Sequence, residues 1–213
     1  MAIDVTTRIW RDVITSNDEL FALFGEPSER AVKKEMAALD EHCRNFIARS
    51  PFLLMGTANV AGQCDVSPKG DVPGFVLVVD DHTIIIPDRP GNKRADGFKN
   101  ILVNPHVGIL FIVPGKEETL RVNGRATLVR DADLLDRMAV DGKRPLMATV
   151  IDIEECFLHC AKAFRRSLLW DSTTWPDKTD LPSMSRMLVD QIKMNTTLEE
   201  METQIAAGMK NLY

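Results

Sequence analysis

At 213 residues and a formal net charge of −5, the chain has the length for one well-cored domain with decorations, or two small domains at most. Its apolar fraction of 45% is that of an ordinary globular protein, and 12 Gly with 11 Pro are too few for a disordered or fibrous chain. The acidic balance excludes a general nucleic-acid coat, which needs a broad basic face, so any anion site must be a local pocket.

The opening stretch, "MAIDVTTRIWRDVITSNDEL", has no uninterrupted apolar core and carries acids throughout, so no signal peptide is expected. No apolar run approaches bilayer-spanning length, and no membrane partner is expected. Cys43, Cys64, Cys156 and Cys160 are scattered without disulfide-framework spacing, which predicts free thiols in a reducing cytoplasm.

The first fifty residues read as helical. "SNDELFALFG" forms a short helix, and "SERAVKKEMAALDEHCRNFIARS" a longer one with Val32, Met36, Leu39, Cys43, Phe46 and Ile47 at helical spacing. Pro51 ends it. The middle then switches to short apolar or alternating runs: "FLLMGTAN", "QCDVS", "GFVLVVD", "HTIIIPD", "VGILFIV", "ETLRVNGRATLVRD" and "LMATVIDIEECFLHC". Tight turns separate them. Strands so short and so closely joined favour an antiparallel barrel over a parallel α/β sheet. "KRADGFKNILVN" is a helix crossing within that barrel, with Gly91-Asn92 as turn and N-cap. "DADLLDRMAVDG" is another short helix, N-capped by Asp131. Beyond "AKAFRRSLLWDSTTWP" and the linker "PDKTDLPS", one final helix covers "MSRMLVDQIKMNTTLEEMETQIAAGMKN". The expected organisation is mainly β with flanking helices. Residues 1–50 form a helical segment packed on the barrel, 51–175 the barrel domain, and 176–213 a linker and C-terminal helix.

Four segments carry candidate chemistry. In "PDRPGNKR", Asn92, the free N–H groups of a helix start, Lys93 and Arg94 make a cradle for a phosphate monoester, with Arg89 in reach. A solvated basic turn is the plain alternative. In "DVSPKGDVPGF", Ser67, Pro68 and Lys69 occupy a loop that suits the polar edge of a planar ring, or an ordinary turn. In "TLRVNGRATLV", alternation places Leu120, Val122 and Ala126 on one face and Arg121, Asn123 and Arg125 on the other. Those arginines need water, acid partners or an anion. In "HCAKAFRRSLLW", His159, Lys162, Arg165, Arg166, Ser167 and Trp170 crowd a strand-to-helix junction, where Trp170 is either a packing residue or a cofactor-stacking one. The spacing of His159 with Cys156 and Cys160 fits no standard zinc pattern, so no metal is expected. No P-loop, G-x-G-x-x-G or G-x-S-x-G occurs. Cations and ring-sized apolar surface without an acid, base or nucleophile point to chemistry carried by an organic cofactor.

The order of these motifs resembles the pyridoxamine 5′-phosphate oxidase-like FMN-binding split-barrel family, especially its bacterial branches. The carrying segments are "SPFLLMGTANVAGQCDVSPKGDVPGFVLVVDDHTIIIPDRPGNKRADGFKNILVNPHVGILFIVPG", "LRVNGRA" and "HCAKAFRRSLLW". The resemblance implies an antiparallel split barrel, assembled as a homodimer with flavin at the interface. It implies FMN phosphate on Lys93 and Arg94, with Asn92 replacing a small hydroxyl residue. Ser67, Pro68, Lys69, Pro87 and Asp88 would lie along the ring. Arg121 matches a strand residue that reaches the flavin across the interface, and Arg166, Ser167 and Trp170 match the stretch completing the pocket. The terminal Arg- and His-bearing motif of the vitamin B6 oxidases is missing, so the implied activity is hydride transfer through FMN to or from another small molecule, with no catalytic residue assigned. An F420-dependent reductase, or a non-catalytic flavin or haem carrier or sensor (His106 or His159 serving a haem), are the alternatives.

Overall fold

The computed structural model describes residues 10, 12–193, 195–210 and 212–213, so half of the N-terminal stretch that carries no signal-peptide pattern lies outside the described residues. The chain divides into two units, Met1–Glu35 and Met36–Tyr213. The first holds α1 (Asn17–Phe24) and α2 (Glu29–Lys33). Ser16 and Glu19 form a capping box at the start of α1, and Ser28 caps α2. Both are N-terminal signals readable in the sequence.

The second unit is built on seven strands: β1 (Phe52–Ala58), β2 (Cys64–Gly70), β3 (Leu77–Val78), β4 (Thr83–Pro87), β5 (His106–Ile112), β6 (Thr119–Val129) and β7 (Ala148–His159). Every run expected to be a strand is one. All pairings are antiparallel, in the order β2-β1-β5-β6-β7-β4-β3. Among the described residues β2 and β3 do not pair with each other, so hydrogen bonding does not close the sheet into the expected barrel. Both edges suit this ending. The first strand of the order carries Pro68, which has no N–H to donate outward, and the last is only two residues long.

Alternation buries one face. Leu53 and Met55 on β1, Val107, Ile109 and Phe111 on β5, and Leu120 and Val122 on β6 are all at most 5% exposed. Each such side chain contributes on the order of 1.5–3 kcal/mol by leaving water. On β6 this is the face expected for Leu120, Val122 and Ala126. A bulge at Asn123/Gly124 shifts its register with β7, and a Cβ on Gly124 would lie 2.1 Å from the Asp152 carbonyl oxygen. Only glycine permits that approach.

The helices fall less neatly. The single helix expected over residues 28–50 is broken between α2 and α3 (Glu41–Arg49). Met36 exchanges two backbone hydrogen bonds with Cys156 of β7, at 3.0 and 2.7 Å, and Asp40 then caps α3 by accepting from the Cys43 N–H at 2.7 Å. A strand-type bridge and a new cap outcompete the continuous apolar spacing. Cys43 and Ile47 carry α3 into the core. The helix expected from Asn92 begins later, as α4 (Asp96–Val103), and packs against β1, β2 and β6. α5 (Ala132–Asp136) follows Asp131 as expected, although the Asp131 side chain makes no cap bond. α6 (Lys162–Ser167) follows β7. The expected final helix is two, α7 (Met184–Ile192) and α8 (Leu198–Gly208). Lys193 turns left-handed at φ 49°, and Thr197 with Glu200 forms a second capping box. No helix among the described residues is long and apolar enough to cross a membrane.

Candidate functional site

A cavity of about 1010 Å³ lies between the edge strand β2, the β4–α4 connection and the segment before β7, at the upper end of small-ligand sites. Ser67, Pro68 and Lys69, expected in a loop, belong to β2 itself and face Met55, Leu54 and Leu53 across the ladder. An edge strand tolerates Pro68, which is why loop chemistry in the sequence proved to be strand. Asp65, Ser67 and Lys69 share one face of β2 by the two-residue period. α4 starts directly over that face. A Cβ on Gly97 would stand 3.0 Å from an Asp65 carboxylate oxygen and 3.7 Å from the Ser67 hydroxyl.

The basic turn differs from the sequence expectation. Asn92 is not the N-cap: Ala95 occupies that position in left-handed geometry with no side-chain cap bond. The Asn92 amide oxygen instead accepts from the Arg94 N–H at 3.0 Å. Lys93 and Arg94 therefore precede the helix, and its first turn carries Asp96, the residue type the helix dipole favours. Arg94 Nε donates to Asp96 at 2.7 Å and Lys99 approaches the same carboxylate at 3.3 Å. Both bonds hold the Asp96 carboxyl below its ordinary range. Lys93 lines the cavity with φ 61°, and among the described residues it has no hydrogen-bond or ion-pair partner.

Deeper in, Lys69 Nζ lies 3.7 Å from Asp88 and 4.6 Å from the centre of the Phe98 ring. Burial pushes the Asp88 carboxyl above its ordinary value, with Lys69 and then Arg89 pulling the other way. Arg89 also lines the cavity, but its Nε–H is taken by Asp71 at 2.6 Å. Ser67, Pro68, Lys69, Pro87, Asp88, Arg89, Asn92, Lys93 and Arg94 are thus brought to one cavity.

The other four expected residues lie elsewhere on the chain. Arg121 pairs with Glu155 and lies 4.1 Å over the Phe157 ring, while its Nε is buried without a partner. Arg166 and Ser167 are exposed on α6, and the Ser167 hydroxyl donates to the Phe164 carbonyl. Trp170 stacks on Phe164 at 5.7 Å and donates its ring N–H to the Lys116 carbonyl. Sequence reading missed Asp65, Lys143, Arg144, Leu146, Met147 and Tyr213, all lining the cavity. "GKRPLM" offered a basic pair beside apolar residues as a signal. Asp65 and Tyr213 offered none.

The family model described as pyridoxamine 5′-phosphate oxidase matches residues 39–160, more than half of the chain. The chain belongs to this family. The match spans α3, all seven strands, α4 and α5, and so includes most of the cavity wall. No curated protein matches the chain. Among solved structures it is similar to HupZ of Group A Streptococcus, at 20% identity over 58% of this chain and 100% of that one, with a TM-score of 0.47. It is also similar to a Lactobacillus delbrueckii protein provisionally described as a pyridoxamine 5′-phosphate oxidase: 20% identity, 57% and 95% coverage, TM-score 0.46. An FMN-binding protein from Syntrophomonas wolfei is similar at 14% identity, with 55% and 88% coverage and a TM-score of 0.41.

Proposed function

We propose that this protein is an FMN-binding oxidoreductase that transfers hydride between a small molecule and the flavin. The observation that carries the reading is Lys93, an exposed cation without a partner among the described residues, in a cavity also lined by Lys69, Asp88 and Phe98. That donor set fits FMN. Lys93 and the spare N–H groups of Arg94 take the phosphate as charge-assisted donors. Ser67, Pro68, Lys69, Pro87 and Asp88 bound the ring. When bound, the flavin supplies the redox chemistry. Lys69, fixed by Asp88 and the Phe98 ring, places positive charge where reduction adds negative charge.

The proposal includes a homodimer. Arg121, Arg166, Ser167 and Trp170 lie outside the single-chain cavity, and the buried, unpartnered Nε of Arg121 supports a role for them in completing the site across an interface. A cytoplasmic setting completes the reading, supported by four free cysteines. The test is the absorption spectrum of the purified protein before and after incubation with FMN, followed by anaerobic reduction with NADH or NADPH. The expected result is a bound flavin spectrum that bleaches. Protein that gains no flavin absorbance overturns the reading, and a Soret band replaces it with haem.

A further inference from the structure

Tyr213 is the only tyrosine of the chain, and its side chain stands in the cavity wall. Three contacts hold it there. Its hydroxyl donates to Asp71 Oδ1 at 2.5 Å, the Arg89 guanidinium lies 5.3 Å over its ring, and Lys143 Nζ donates to its main-chain oxygen at 3.1 Å. Asp71 is the centre of this arrangement. Its side chain is 0% exposed, yet Tyr213 O–H, Arg89 Nε–H and the Val72 N–H at 2.7 Å together satisfy it. Burying a carboxylate and a guanidinium is expensive unless the geometry and hydrogen bonding are complete. Here they are complete only with the tyrosine in place.

The position along β2 gives this clamp a purpose. Asp65 lies against the start of α4, where Lys93 and Arg94 stand, and Asp71 is six residues further along. Asp71 follows the end of β2, and its partner Arg89 precedes Lys93 by only four residues, so the clamp and the basic turn border the same cavity. With the proposed phosphate at Lys93, the rest of a ligand held in this cavity has Lys69, Asp88 and Tyr213 among its walls. A ring fixed at its hydroxyl, its face and its backbone loses little freedom on contact with a ligand, which is how a pre-organised wall gains affinity.

We propose that Tyr213 is a cofactor-contacting residue whose ring packs against the planar part of the bound flavin, and that Asp71 and Arg89 are positioning residues that hold it there. This rests on the reading of the cavity as a flavin site. A single tyrosine gives a direct measurement, because protein labelled with [ζ-13C]tyrosine shows one labelled resonance. FMN is titrated into that sample while its own fluorescence reports occupancy. The expected result is a tyrosine resonance that moves in step with occupancy, and an Asp71→Asn variant whose resonance is already displaced in the free protein. Tyr213→Ala should weaken FMN about fivefold, and Tyr213→Phe should fall between it and wild type, keeping the ring but losing the bond to Asp71. Saturating FMN binding with an unmoved tyrosine resonance overturns the contact while leaving the flavin reading intact. Absence of FMN binding overturns both.

Discussion

Replacing Lys93 by Ala isolates the phosphate. Among the described residues Lys93 has no partner to leave unsatisfied, and both residues are L-amino acids at the same φ of 61°, so the fold should not be perturbed. The lost interaction is a charge-assisted hydrogen bond, worth roughly 1.5–3 kcal/mol where water is excluded. Lys93 is exposed at the rim, so screening by solvent and salt places the loss at the lower end of that range. A loss of about 1.4 kcal/mol is a tenfold weaker Kd. Arg94 should cost less, because Asp96 already takes its Nε–H. The assay is flavin fluorescence titration with FMN and, in parallel, with riboflavin, which has the ring without the phosphate. Lys93→Ala should weaken FMN about tenfold and leave riboflavin unchanged, with the FMN effect shrinking at high salt. Equal weakening of both flavins would mean that Lys93 touches the ring or supports the fold, and the phosphate assignment would fall.

Asp96→Asn removes the carboxylate that occupies Arg94 beside the proposed phosphate site, so FMN should bind more tightly in the same titration; weaker binding would show that Asp96 organises the turn. Gly124→Ala forces a Cβ to 2.1 Å from the Asp152 oxygen, and should cost about 1–3 kcal/mol, read as a fall of several degrees in Tm. Asp71 titrates below its ordinary range: burial raises it, but the bonds from Tyr213, Val72 and Arg89 outweigh burial. A carboxyl depressed in the folded state contributes stability above its unfolded value, and that contribution vanishes as pH falls through the folded value. Wild type should therefore lose stability below about pH 3.9 more steeply than Asp71→Asn, measured by urea unfolding at a series of pH values.

Much of the sheet was legible because its signal is local. The alternation in "LRVNGRA" and "FLLMGTA" specifies which face is buried, and Gly- and Asn-bearing turns separate the runs. The helices were less legible, because apolar spacing alone does not show where tertiary contacts break a helix. Ser16 with Glu19 started α1 where expected, whereas Met36 sits at perfect helical spacing yet is held by Cys156, a residue 120 positions away. No local propensity encodes such a tie. The cavity divides in the same way. Its β2 and β4–α4 walls come from consecutive residues with visible chemistry. Lys143, Arg144 and Tyr213 reach it through tertiary packing alone. Ser67-Pro68-Lys69 misled in type but not in place, since proline in an edge strand carries the same signature as proline in a turn.

Cations gathered near a helix start are an electrostatic problem, because the dipole there is already positive. The structure resolves most of it internally. The helix begins at Asp96 rather than at Lys93, so the dipole meets a carboxylate first, and that carboxylate also takes Arg94 and Lys99. Arg89 is turned to Asp71, and Lys69 to Asp88. Each lining cation from β2 and the β4–α4 turn therefore has an acid of its own, with one exception. Lys93 is the charge left over: it lines the cavity, is exposed, and has no acid partner among the described residues. A chain with a net charge of −5 had acids enough to neutralise it. On the proposed reading, an incoming anion supplies the one missing pairing.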